Sequence, residues 1–202
     1  MKLEPKKLAV FVSGSGTNFE AIQRNILKGR INGKIVLVIA SNSHAGAIEK
    51  AKNFGIDCYV IREKDFNLYE KYVKKILELL EQYQVEYILL AGYLKKVPDE
   101  IVKRYRWKIL NIHPALLPKF GGKGMYGINV HKAVIEAGEK VTGVTIHFVD
   151  EEYDRGPIIV QKKVKVKKDD TPESLQKRVL KVEHKLYPYI VSRLCKGKIK
   201  IP

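Results

Sequence analysis

Residues 9–23 read AVFVSGSGTNFEAIQ: an apolar run, a glycine-broken loop, then a helical pattern. An apolar run bounded by turn residues suits a strand covered on both faces, and the glycines suit a tight turn. The same rhythm recurs along the chain. Runs read as strands are Lys7–Ser13, Lys34–Ser41, Asp57–Ile61, Val85–Ala91, Lys108–Ile112, Thr142–Val149 and Ile158–Val166. Between them lie helical patterns over Asn18–Leu27, Ala45–Phe54, Asn67–Tyr83, Asp99–Tyr105, Asn129–Ala137 and Pro172–Leu194. Asn18 is placed to cap the first of these. The third carries Leu68, Tyr72, Val73, Ile76, Leu79 and Leu80 at helical spacing, and DDTPE suits the start of the last. Strand–helix alternation implies right-handed crossovers. The expected fold is α/β: a doubly wound, mainly parallel seven-stranded sheet with helices on both faces. The last two strands have only a short link and are expected to pair antiparallel. With no repeat or linker, residues 1–202 are expected to form a single domain.

Composition narrows the function. The chain has 202 residues, 45 % hydrophobic and 30 % charged, which is enough apolar material for a core. No apolar run reaches the ~18–20 residues of a membrane-spanning helix. The first strand follows a short basic start and does not read as a cleaved signal. A formal charge of +16 favours anionic partners, by steering. Two distant cysteines, Cys58 and Cys195, argue against a disulfide scaffold or zinc ribbon and fit a reducing cytoplasm.

In such a sheet, ligands collect beyond the carboxyl ends of the strands. That draws attention to Ser13–Asn18, Gly92–Pro98, Asn111–Gly124 and Asp150–Pro157. The loop GSGTN offers a helix N-terminus to an anion, most simply a phosphate. It lacks the GK[ST] of a nucleotide-triphosphate loop and the third glycine of a dinucleotide fingerprint. Taken alone, it fits a plain tight turn equally well. In LNIHPALLPKF, Asn111 and His113 point to one side of a strand end. An amide donor beside an imidazole suits oxyanion stabilisation and proton transfer, or a satisfied structural histidine. The loop after TGVTIHFV holds Asp150, Glu151, Glu152 and Asp154. Asp154, next to Gly156-Pro157, is the acid best placed to pair with His113, raise its pKa and keep it protonated. The other reading is a solvated acidic turn. His147, in the preceding strand, reads as a core histidine.

Together, SGSGTNFEAI, LAGYLKKVP, LNIHPALLPKF, TGVTIHFVDEEYDRGPII and VEHKLYP resemble the folate-dependent phosphoribosylglycinamide formyltransferases, from about Lys7 to Pro202. The resemblance implies transfer of a formyl group from N10-formyltetrahydrofolate to the amine of glycinamide ribonucleotide in purine synthesis. It implies that Gly16, Thr17 and Asn18 bind the ribonucleotide phosphate and that Glu183 contacts the same substrate. Leu94, Lys95, Lys96 and Val97 would wall the folate, and Asn111 would donate to the formyl oxygen. His113 would donate the proton, tuned by Asp154. No metal and no covalent nucleophile are implied. Some residues depart from the family pattern. Arg155 replaces a small residue, Leu180 a polar one, and Tyr69 an arginine that meets the folate tail; the Gly121–Gly127 loop is longer and richer in glycine.

Two related enzymes compete. A methionyl-tRNA formyltransferase shares the Asn-x-His and Asp elements but carries a further C-terminal domain. A formyltetrahydrofolate hydrolase carries a further N-terminal one. A basic nucleic-acid-binding module rests on charge alone, because the lysines are scattered without interleaved stacking aromatics. The expected partners are therefore the two small substrates, with neither membrane nor nucleic acid, in a monomer or homodimer.

Overall fold

In the computed structural model, which describes residues 4–202, the first strand alternates strictly between two cores. In β1 (Lys6–Val12), Leu8, Val10 and Val12 face one hydrophobic cluster, while Ala9 and Phe11 face another. Both faces are therefore covered. The remaining strands are β2 (Gly33–Ala40), β3 (Cys58–Val60), β4 (Tyr87–Leu90), β5 (Ile109–His113), β6 (Val141–Phe148) and β7 (Ile158–Lys165). The helices are α1 (Thr17–Leu27), α2 (Gly46–Asn53), α3 (Tyr69–Gln82), α4 (Asp99–Arg104), α5 (Ile128–Glu136) and α6 (Pro172–Cys195). Residues of α1, α2, α5 and α6 pack into the first cluster, and those of α3 and α4 into the second.

The seven strands form one sheet in the order β3-β2-β1-β4-β5-β6-β7. β1 to β5 pair in parallel, as the crossover helices demand. β6 pairs antiparallel to β5 as well as to β7. It is thus the single reversed strand, and β7 returns to the common direction. The chain reverses between β1 and β4, where β2 and β3 go one way and β4 onward the other. That reversal opens a crevice at the carboxyl ends of β1 and β4.

Several boundaries differ from the sequence expectation for local reasons. Asn18 does not cap α1: the cap position is Gly16, at φ 69°, and the Asn18 side chain turns to Glu183 instead. α3 starts at Tyr69 because Glu63–Asp65 forms a separate 3-10 turn and Leu68 is extended. β3 is an edge strand and pairs with β2 over only three residues. β5 runs on to His113, which pairs opposite Thr145 of β6. α6 opens with the expected signal: Thr171 accepts from the Ser174 N–H in a capping box, and Pro172 follows.

Candidate active site

The carboxyl ends of the central strands open into a cavity of about 660 Å³. Its wall includes Thr17 and Asn18 from the start of α1, the segment Leu94–Val97, Asn111 and His113 from β5, Asp154 from the loop after β6, and Glu183 from α6. Five segments far apart in the chain therefore meet at one place. Gly16 does not line the cavity. A Cβ there would stand 2.6 Å from that of Ala47, so glycine at this position lets α1 press against α2.

The β5–β6 register builds the centre. Asn111 pairs directly across from His147, so their side chains share a face. Asn111 Nδ2 lies 3.2 Å from His147 Nε2 and donates to Asp154 Oδ1 at 3.2 Å. His147 Nδ1 lies 2.7 Å from the Phe148 carbonyl oxygen, which only accepts; Nδ1 therefore carries the proton and Nε2 is free to accept from Asn111. Asp154 Oδ2 accepts from the Gly122 N–H at 2.9 Å and lies 3.6 Å from His113 Nδ1. His113 Nε2 donates to the Phe120 carbonyl at 2.7 Å. Both amide hydrogens of Asn111 and the Nε2–H of His113 are thus engaged within the protein.

Burial governs the charges. His113 is 3 % exposed. Its desolvation lowers its pKa below the ordinary 6.5, outweighing the upward pull of Asp154 and of the Phe120 carbonyl. This corrects the expectation that Asp154 keeps His113 protonated: the pull exists, but burial is stronger. For Asp154, burial pushes upward, yet the neighbouring His147 ring, the field of His113 and the Gly122 N–H bring its pKa below 3.8. At neutral pH the pair is a neutral imidazole facing a carboxylate.

Neighbouring segments hold this centre still. Thr145 accepts from the Leu117 N–H at 3.1 Å and donates to the Ala115 carbonyl at 2.6 Å, pinning the chain just after His113. Ser13 Oγ accepts from the Leu94 N–H at 2.8 Å and so ties the Gly92–Pro98 loop to the end of β1. Gly156 is forced: a Cβ there would sit 1.9 Å from the Phe148 carbonyl oxygen, so only glycine lets the Asp154 loop fold back onto β6. Arg155 does not crowd that loop, since its largely exposed side chain pairs with Glu152 at 3.2 Å.

At the other end of the cavity, Asn18 Nδ2 donates to Glu183 Oε2 at 2.6 Å. Burial raises the pKa of Glu183, and the Asn18 bond opposes that rise. Leu180 lines this half, as does Gln176 one turn earlier on α6. Leu94–Val97 also form part of a second hollow, about 1140 Å³, with Tyr69, Arg62 and Lys64 on its wall. Lys123, Met125 and Tyr126 of the glycine-rich loop line the first cavity. Two cavity histidines escaped the sequence reading: His147, assigned to the core, and His131 of α5. The signal for His147 was its even spacing from Thr145 in a strand facing β5.

A formyl transferase family model matches residues 6–191. The chain belongs to the formyl transferase family. Among curated relatives, the chloroplastic phosphoribosylglycinamide formyltransferase of Arabidopsis thaliana is 49 % identical over 199 residues, spanning 96 % of this chain and 67 % of that protein. The Bacillus subtilis phosphoribosylglycinamide formyltransferase is 39 % identical, covering 94 % of each chain. The crystal structure of the Bacillus halodurans phosphoribosylglycinamide formyltransferase superposes with a TM-score of 0.87 at 38 % identity, over 94 % of this chain and 95 % of that one. These likenesses bear on this formyl transferase over the whole sheet, the five cavity segments included.

Proposed function

We propose that residues 7–202 act as one domain that transfers the formyl group of N10-formyltetrahydrofolate to the amine of glycinamide ribonucleotide, in purine biosynthesis. The observation that carries this is the meeting of Asn111, His113 and Asp154 in a cavity that runs to the amino end of α1. The free N–H groups and side chains of Thr17 and Asn18 take the phosphate. Glu183 accepts from the ribose hydroxyls, and the segment Leu94–Val97 walls the folate. The amine then lies against Asn111 and His113.

Attack of the amine on the formyl carbon creates an oxyanion and a positive nitrogen. The formyl oxygen displaces one internal partner of Asn111 and takes the released N–H. One such donor is worth about 3–4 kcal/mol to a developing oxyanion. His113 is neutral beforehand. The growing negative charge and the Asp154 carboxylate favour the imidazolium, so His113 carries a proton towards the departing N10. The amine nitrogen loses one proton and N10 gains one, which balances the transfer. Direct attack by an amine needs neither a metal nor a covalent intermediate.

Every group in this scheme lies within one chain, which suits a monomer or a homodimer with independent sites. Cys58 and Cys195 are free thiols, in keeping with a reducing compartment such as the cytoplasm. The test is product analysis. The protein mixed with both substrates should yield tetrahydrofolate and formylated ribonucleotide in equal amounts. Formate without formylated ribonucleotide, or formylation only of charged initiator tRNA, would replace this reading by a hydrolase or a tRNA formyltransferase.

A further inference from the structure

One buried, titratable group in the cavity has no part in the scheme above. His131 on α5 is 2 % exposed and lines the same cavity as Asn111 and His113. Its Nδ1 is sealed from solvent and has no hydrogen-bond partner among the described residues. Burial and the nearby charge of His113 push its pKa down to about 4, so the ring is neutral at pH 7. A neutral imidazole carries one proton. An N–H sealed without a partner costs more than a sealed lone pair, so the proton belongs on Nε2. Because Nδ1 is walled off, Nε2 is also the nitrogen left to meet a ligand.

We propose that His131 is a binding and specificity residue: its Nε2–H donates to the amide carbonyl of the glycinamide arm of the amine substrate. The placement follows the order of groups along that substrate, and it rests on the function proposed above. Phosphate at Thr17 and Asn18 and amine at His113 leave two polar groups between them, the ribose hydroxyls, which can donate, and the amide carbonyl, which accepts. Glu183, an acceptor, suits the ribose hydroxyls. His131, a donor that lines the cavity together with His113, suits the carbonyl next to the amine. A donor that stays neutral holds a neutral carbonyl without adding charge beside the imidazolium that His113 becomes.

The test combines variants with an altered substrate, read by calorimetric binding and steady-state kinetics. His131→Leu should weaken ribonucleotide binding about ten-fold, while the KM for the formyl-folate stays within two-fold. His131→Gln, whose amide N–H replaces Nε2–H, should recover most of that loss. A ribonucleotide with CH2 in place of the amide C=O should bind the wild type about ten-fold more weakly and His131→Leu no more weakly still. Unchanged ribonucleotide affinity in His131→Leu overturns the proposal, and so do additive losses from variant and analogue. If His131→Leu does not fold, the analogue decides on the wild type alone: equal affinity for both compounds refutes the carbonyl contact. Failure of the wild type to bind the ribonucleotide at all would instead refute the function on which the proposal stands.

Discussion

Replacing Asp154 by Asn removes one charge and changes almost no volume. Asp154 has φ 56°, a left-handed conformation that Asn tolerates well, so the backbone is not the issue. The hydrogen bonds are. The carboxylate accepts from Asn111 Nδ2 at 3.2 Å through one oxygen and from the Gly122 N–H at 2.9 Å through the other. An Asn side chain has one acceptor oxygen, so its NH2 must face one of those donors. A buried donor left unpaired costs about 1–3 kcal/mol. Taking about 2 kcal/mol, the melting temperature of a chain this size falls by about 4–8 °C. The loss depends on pH. Asp154 has a pKa depressed below 3.8 in the folded state, so its contribution is present above that range and disappears as pH falls through its folded-state pKa. Thermal melts of both proteins should differ at pH 7 and converge in strong acid. The kcat should fall by about 10²–10³-fold, because the imidazolium loses its counter-charge and Asn111 its orientation. A variant with unchanged kcat, or a melting difference that persists unaltered in strong acid, would refute this account of the carboxylate.

Three further outcomes follow from the same geometry. Asn18→Ala leaves the buried Glu183 carboxylate without its 2.6 Å donor. The folded-state pKa of Glu183 is already raised, so stability falls as pH rises through it; the variant's deficit should be greatest near pH 7, about 2 kcal/mol, and least below pH ~4, by denaturant titration at each pH. His147→Leu keeps the bulk but removes the acceptor that orients Asn111, so kcat should drop about ten-fold or more with little change in either KM, by steady-state kinetics. Gly156→Ala forces a Cβ to 1.9 Å from the Phe148 carbonyl oxygen; it should cost about 1–3 kcal/mol in chemical denaturation and displace Asp154, lowering kcat as well.

The sheet was legible because its central strands, β1, β2, β4 and β5, are apolar on faces that the helices cover, whereas the edge strands β3 and β7 are mostly half-buried or exposed. The second reversal, at β5–β6, was not legible: the link from His113 to β6 contains α5, and helical links ordinarily join parallel strands. The cavity's polar cluster was readable as residue types, namely Asn111, His113 and Asp154. Its charge state was not. Whether Asp154 or burial governs His113 depends on how tightly Phe120 and the strands enclose the ring, and no local pattern encodes that. His147 escaped because a buried histidine in a strand looks alike whether it faces a core or a cavity. Asn18 was recognised as a residue with a task, yet its partner lay on α6, far along the chain.

Proton transfer in this site rests on His113. Single-turnover formyl transfer, started by mixing enzyme saturated with the ribonucleotide against formyl-folate and following tetrahydrofolate by absorbance, isolates the chemical step. His113→Ala should bind both substrates with near-normal affinity and transfer the formyl group at least about 10²-fold more slowly than the wild type. Transfer at the wild-type rate by that variant would contradict the central claim.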